Sequence, residues 1–159
     1  MELELETKWK EYELGDLLSY EQPTPYIVDS TDYNEKYETP VLTAGKSFIL
    51  GHTNETHGVY TALPVIIFDD FTTASQYVNF PFKVKSSAMK ILQVRTGIEI
   101  EYVSMFMSVT RLIGDTHKRY WISEYSKLEI PIPPLAEQKR IVDAVHAAFA
   151  KLDAIMESL

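Results

Sequence analysis

A chain of 159 residues, 45% hydrophobic and 24% charged, is long enough for one domain with a proper core plus an appendage, and too apolar to be disordered. It has no cysteine, which excludes disulfides and thiolate metal sites, and neither a membrane-length apolar run nor a basic-then-apolar leader, so a soluble cytoplasmic protein is expected. Its net charge of −8 opposes nucleic-acid binding in bulk, but residues 1–82 carry 4 Lys/Arg against 14 Asp/Glu, residues 83–127 carry 8 against 4, and residues 128–159 carry 3 against 5. A positive middle third is what a phosphate-binding face leaves in a sequence, although a solvated surface of mixed sign leaves the same trace.

In chain order, Met1 to Thr7 alternates Glu with Leu and reads as a frayed acidic lead-in. Trp9 to Tyr20 reads as a short strand and a helical turn, with Gly15 as a break and Leu17 and Leu18 buried. Pro23 and Pro25 stop any helix, Tyr26 to Val28 is expected to be a short strand, and Asp29 to Glu38 a tyrosine-rich surface loop. Thr39 to Tyr60 predicts two strands interrupted at Gly45-Lys46, with Gly51 and Gly58 bounding a polar loop. In that loop Thr53 and Asn54 offer the small donors and acceptors that contact phosphates or base edges; they are equally ordinary turn residues.

Leu63 to Phe68 is a continuous apolar run and predicts a buried central strand. It ends at Asp69-Asp70, a carboxylate pair that could suggest a metal-dependent nuclease. No Glu-x-Lys follows in the required context, so a strand-terminal turn is the better reading. Tyr77 to Val84 alternates like another strand, and Lys83, Lys85 and Lys90 flank Ser86 and Ser87 in a turn suited to phosphate contact. After a strand at Ile91 to Val94, Ile100 to Leu112 predicts an amphipathic helix. Its apolar stripe would be Tyr102, Phe106, Val109 and Ile113, with Met105 and Met107 filling the core and Gly114-Asp115 ending it. Thr116 to Trp121 is the densest basic and aromatic cluster: Lys118 and Arg119 suit backbone contact and Tyr120 suits stacking, while a helix end followed by a strand is the other reading.

The last 32 residues change character twice. Ile130 to Pro134 alternates apolar residues with prolines and is extended; Pro134 then suits the first turn of a helix. From there Leu135, Val142, Phe149 and Met156 fall seven apart, with Gln138, Val145, Leu152 and Leu159 between them, widened by Ile141, Ala148 and Ile155. This is an a/d seam that calls for a partner helix, either another chain's or this domain's own surface. His146 lies on this helix and is expected at its surface.

Ile130 to Val142, IPIPPLAEQKRIV, resembles the "IPxPPLxEQxxIV" signature that ends target recognition domains in the specificity (S) subunits of type I restriction-modification enzymes. Three looser matches accompany it: the "LGD" opening at Leu14 to Asp16, the block Pro40 to Lys46 (PVLTAGK), and Ile66 to Thr73 (IIFDDFTT). The resemblance implies an α+β (mixed α/β) target recognition domain over residues 1–133 and a spacer helix over 134–159. A full S subunit of the family carries two of each, so this chain resembles half of one. The implied partners are double-stranded DNA and methyltransferase (M) subunits, with a restriction (R) subunit possible. Two copies would join through antiparallel helices, using Leu135, Val142, Val145, Phe149, Leu152 and Met156, to read a bipartite target. Lys46 enters the DNA-contacting set through the glycine-lysine block, and the resemblance favours the same role for Thr53, Asn54, Lys83, Lys85, Ser86, Ser87, Lys90, Lys118, Arg119 and Tyr120. The subunit would be non-catalytic. That agrees with the lack of a glycine-rich cofactor loop, a methyltransferase Pro-Pro-aromatic motif or a Walker lysine, and with histidines lacking metal-ligand spacing; no cofactor, metal or catalytic residue is assigned. A protein-interaction module that uses the helix without touching DNA is the alternative.

Overall fold

The computed structural model describes residues 8–112 and 118–159. The expected lead-in over Met1 to Thr7, Ile113 of the helix stripe, the Gly114-Asp115 stop, and Thr116 and His117 of the basic cluster lie outside them.

β1 (Lys10–Glu13) runs through a single helical turn, α1 (Leu14–Leu17), into β2 (Leu18–Glu21); Gly15 lies within the turn rather than breaking it. Leu14, Leu17 and Leu18 are buried, and Leu14 N–H donates to the Leu128 carbonyl at 2.9 Å. The strand expected at Tyr26 to Val28 is instead a 3₁₀ turn at Thr24–Tyr26, with Ile27 alone bridging Val84. Pro25 fixes a helical φ and offers no N–H for a ladder, so the turn is favoured.

β3 (Thr39–Leu42) and β4 (Ile49–Thr53) form the expected hairpin, and β5 (Val65–Asp69) is the apolar strand. Gly51 sits inside β4, not at a loop boundary, and a Cβ there would come within 2.8 Å of the Tyr33 side chain. The single strand expected over Tyr77 to Val84 is divided into β6 (Ser75–Val78) and β7 (Lys83–Val84), which join different sheets; Pro81, lacking an N–H, falls in the break. β8 (Met89–Val94), α2 (Ile100–Ser108), β9 (Glu129–Ile132) and α3 (Leu135–Glu157) complete the order.

Among the described residues the strands form an antiparallel sheet β2-β8-β5-β6, a second sheet β4-β3-β7 in which β3 and β7 run parallel, and a ribbon of β1 and β9 that pairs Tyr12 with Ile130. Successive side chains of a strand point to opposite faces. Ile66 and Phe68 of β5 and Leu92 of β8 therefore join one core with Leu14, Leu17, Val103, Met107, Trp121, Tyr125 and Ile130. Val65 and Ile67 of β5 and Ile91 of β8 join another with Leu42, Tyr60, Phe82 and Val84. Burial on both faces explains why β5 reads as an unbroken apolar run. The chain is α+β, as expected.

α2 presents a different face from the one its pattern suggests. Ile100, Val103 and Met107 are buried, Tyr102 and Phe106 lie at the margin, and Val109, past the helix end, is 82% exposed. The helix is apolar around most of its girth, so periodicity could not select the inner stripe. Tyr102 sits where its hydroxyl donates to the Pro131 carbonyl at 2.7 Å, which holds it at the rim against β9.

α3 starts directly after Pro134 and spans 23 residues, roughly 35 Å. Its first turns are anchored to the domain. The buried Gln138 amide accepts the Glu99 N–H at 2.8 Å and donates to the Pro133 carbonyl at 2.9 Å, Val142 is buried, and His146 meets Glu101 at 2.6 Å. The seam is therefore divided. Val142 belongs to the intrachain contact, a correction to its assignment as a partner-facing residue, whereas Phe149, Leu152, Ile155 and Met156 are exposed. Among the described residues no helix is long and apolar enough to cross a membrane.

Candidate nucleic-acid interface

β5 ends in a turn held by two carboxylates with different tasks. Asp69 accepts the N–H groups of Phe71 and Thr72 on one oxygen, at 2.8 and 3.1 Å, and so closes the turn. Asp70 is buried and accepts the N–H groups of Tyr120 and Trp121 at 3.1 and 2.7 Å, while its other oxygen faces Arg119 at 3.5 Å and Lys90 at 3.8 Å. Its backbone joins the same network, with Asp70 N–H donating to Ala88 and the Asp70 carbonyl accepting from Tyr120. One side chain thus ties the end of β5, the start of β8 and the 118–121 segment together. This use of both carboxylates is structural.

Around this junction, Ser87, Lys90 and Arg119 line one cleft of about 360 Å³ with Gln22, Asp70, Ile122 and Ser123. The Arg119 guanidinium lies over the Phe71 ring, 4.7 Å from its centre. Lys85 and Ser87 are exposed and Ser86 is half-buried in the adjoining turn. Lys118 is exposed and paired with Glu124, its ammonium 5.6 Å from the centre of the Tyr120 ring. Arg111, which the sequence did not single out, caps the same turn by donating to the Thr72 carbonyl at 2.8 Å. Gln22 and Ser123 were also missed; nothing local marks them, since the fold alone brings them to the cleft.

Four expected contact residues lie inside the protein. Lys83 is fully buried, 3.0 Å from Glu55, and donates to the His57 carbonyl at 2.8 Å. A lysine so placed neutralises an internal carboxylate and does not meet solvent-borne phosphate. Thr53 is 2% exposed, and its hydroxyl accepts the Glu55 N–H, shaping the loop instead of reaching a base. Tyr120 is 5% exposed and packs in the core with Trp121, so its ring is closed to base stacking. Lys90 is 3% exposed and is part of the cleft floor, not of an open turn. Asn54 and Lys46 are exposed but stand apart from the cleft. Asn54 lines a groove with Lys36, Glu38 and Glu55, and Lys46 lies in the β3–β4 turn.

Glu55 ties the Asp29–Ser30 segment to Lys83 of β7. Burial pushes its carboxyl up, but the Asp29 N–H, the Lys83 ammonium and the Ser30 N–H outweigh that and hold it below its ordinary value of 4.5. Asp29, Glu55 and His57 bring ligand atoms within 4.8 Å of one another, yet the Lys83 ammonium already supplies the positive charge a metal would bring. Gly58, which follows this group, has φ +60°, and a Cβ there would collide with the Pro25 carbonyl.

The domain thus combines a basic cleft at a strand-end junction with an amphipathic C-terminal helix whose outer half leaves Phe149, Leu152 and Met156 exposed. The chain belongs to the type I restriction modification DNA specificity domain family, whose model matches residues 6–159. It is 47% identical over 166 residues to the specificity subunit of the Escherichia coli type I restriction enzyme EcoR124I/EcoR124II, covering 94% of this chain and 41% of that one. The fold is shared with the HsdS subunit from Thermoanaerobacter tengcongensis, at 16% identity and a TM-score of 0.61, over 94% of this chain and 39% of that one. It is shared too with the type I restriction-modification S subunit from M. genitalium, at 13% identity and a TM-score of 0.67, over 95% and 41%. The chain spans about two fifths of the length of these relatives.

Proposed function

We propose that this chain is a DNA-reading unit, non-catalytic itself, that directs methyltransferase and restriction subunits to a bipartite target. Residues 1–133 would form the target recognition domain, and 134–159 the spacer helix. The observation that carries the reading is the 47% identity to a protein named as a specificity subunit, across 94% of the chain. Exposed Lys46, Asn54, Lys85, Ser87, Lys118 and Arg119, with half-buried Ser86, supply candidate DNA contacts. The basic residues would position the backbone, and Asn54 is able to reach base edges. Exposed Phe149, Leu152 and Met156, with half-buried Val145 and with Leu135 at the helix start, support pairing with a second helix, and a second copy of this chain would present two recognition domains. The family setting supports a cytoplasmic protein acting on double-stranded DNA.

The test is retardation of duplex by the chain with its methyltransferase partner across a salt series. Binding should fall steeply with salt, and Lys85→Ala or Lys118→Ala should each flatten the dependence by about one unit of slope for every phosphate left without its cation. Asn54→Ala should change preference among sequences more than overall affinity. Failure to retard any duplex at low salt would favour the interaction module that never touches DNA.

A further inference from the structure

We infer that the cleft between the ends of β5 and β8 is a preformed seat for a single phosphodiester, with Lys90 as its buried cation. This rests on the DNA-reading function proposed above and deepens it by assigning one enclosed anion site. The Lys90 side chain is 4% exposed, a burial that an ammonium tolerates only with compensation. Among the described residues its compensation is incomplete: the nearest Asp70 oxygen is 3.8 Å away, beyond hydrogen-bond distance, and the Tyr20 ring centre lies at 4.5 Å. One Asp70 oxygen is committed to the Tyr120 and Trp121 N–H groups, and the other is shared between Lys90 and Arg119. The ammonium therefore keeps donors for a further acceptor, and it borders the cleft that Ser87, Arg119, Gln22 and Ser123 also line.

The chemistry of the lining selects the ligand. Two cations, Lys90 and Arg119, stand against one carboxylate, Asp70, so the cleft is net positive. The Ser87 hydroxyl and the Gln22 amide add neutral donors, a set that suits tetrahedral phosphate oxygens, while the Ser123 hydroxyl donates to the Arg119 carbonyl at 3.1 Å. A monoanionic diester matches the single net positive charge. Arg119 is poised at the mouth, half exposed and stacked on Phe71, where it can follow a backbone phosphate without leaving its ring. A second strand end supports the same group: the Ser86–Ser87 turn, from which the Ser86 carbonyl accepts the Met89 N–H, leads directly into Lys90.

The experiment titrates the 159-residue chain with dimethyl phosphate, and in parallel with inorganic phosphate, at constant ionic strength in chloride. Amide NMR shifts are read at Ser87, Arg119 and Ser123. Duplex retardation by the chain with its methyltransferase partner, over a salt series, forms the second arm. Saturable shifts at these three residues with dimethyl phosphate are expected. Lys90→Gln should weaken them by roughly tenfold or more and lower the duplex salt slope by about one. Because Lys90→Gln and Arg119→Gln both alter contacts of the buried Asp70, Ser87→Ala, at an exposed position, provides the variant whose folding is not in question; all three should weaken the same shifts. Absence of saturable shifts overturns the site even if duplex is bound. Saturation by inorganic phosphate alone, or shifts indifferent to all three variants, shows an adventitious ion only and overturns it as well. Saturation by dimethyl phosphate with an unchanged duplex slope in Lys90→Gln overturns the seating of a DNA phosphate there. Dimethyl phosphate saturation without any duplex retardation upholds the diester pocket and refutes the DNA-reading function.

Discussion

Replacing Lys83 by Met separates an internal role from a DNA-contacting one. Lys83 is fully buried, its ammonium lies 3.0 Å from Glu55, and it donates to the His57 carbonyl at 2.8 Å. Met keeps most of the aliphatic length but removes the charge and donors. Glu55 would retain the Asp29 and Ser30 N–H groups, yet lose the cation facing it. Removing one partner from a buried pair costs about 3–5 kcal/mol, because the remaining charge is left uncompensated. With a urea dependence of about 2 kcal/mol per molar, the unfolding midpoint should fall by roughly 1.5–2.5 M. The double variant Lys83→Met/Glu55→Gln, which removes both charges, should recover a substantial part of that loss. Urea unfolding followed by circular dichroism measures both, and duplex retardation of the folded variant should show an unaltered salt slope. A midpoint shift under about 0.5 M would mean that the ammonium does not compensate Glu55. A folded variant whose salt slope fell by a unit would mean that Lys83 reaches phosphate after all.

Glu55→Gln should flatten the acid limb of stability. The folded protein holds this carboxyl below its ordinary value of 4.5, so its contribution is fully present above about pH 4.5 and lost as pH falls through the lower folded value. Urea midpoints between about pH 7 and pH 3 check the sign, and an acid limb as steep as in the unmodified chain would refute it. Phe149→Asp with Leu152→Asp should yield a folded monomer, since both residues are exposed in the single chain and neither charge is buried by its own domain. Sedimentation decides this, and an oligomeric state unaffected by the change would remove the helix pairing. Gln138→Ala should destabilise the chain by about 2 kcal/mol or more, because it leaves the Glu99 N–H and Pro133 carbonyl without their partner. Hydrogen exchange at the Glu99 amide should accelerate; unchanged protection would show that the clamp is dispensable.

The elements legible from local pattern are those whose cause is local. Pro134 caps the start of α3 from just outside the first turn, where its missing N–H costs nothing, and β5 announces itself by an apolar run buried on both faces. The stretch from Ile130 to Val142 likewise carries its family resemblance in adjacent residues. Side-chain burial required the folded chain. Lys83 and Lys85 look alike in sequence, but only Lys83 meets Glu55, 28 positions away, while Lys85 faces solvent. Lys90 lies at the cleft beside the Asp70 carboxylate, and Tyr120 is held in the core by its N–H, which donates to both the carbonyl and the carboxylate of that same residue. The seam of α3 reads as one continuous surface, yet Gln138 and Val142 are spent on the chain's own domain because α2 lies beside them. Hydrophobic spacing says that a face will be covered; which neighbour covers it depends on contacts between residues far apart in the chain, and those exist only once the sheets have packed.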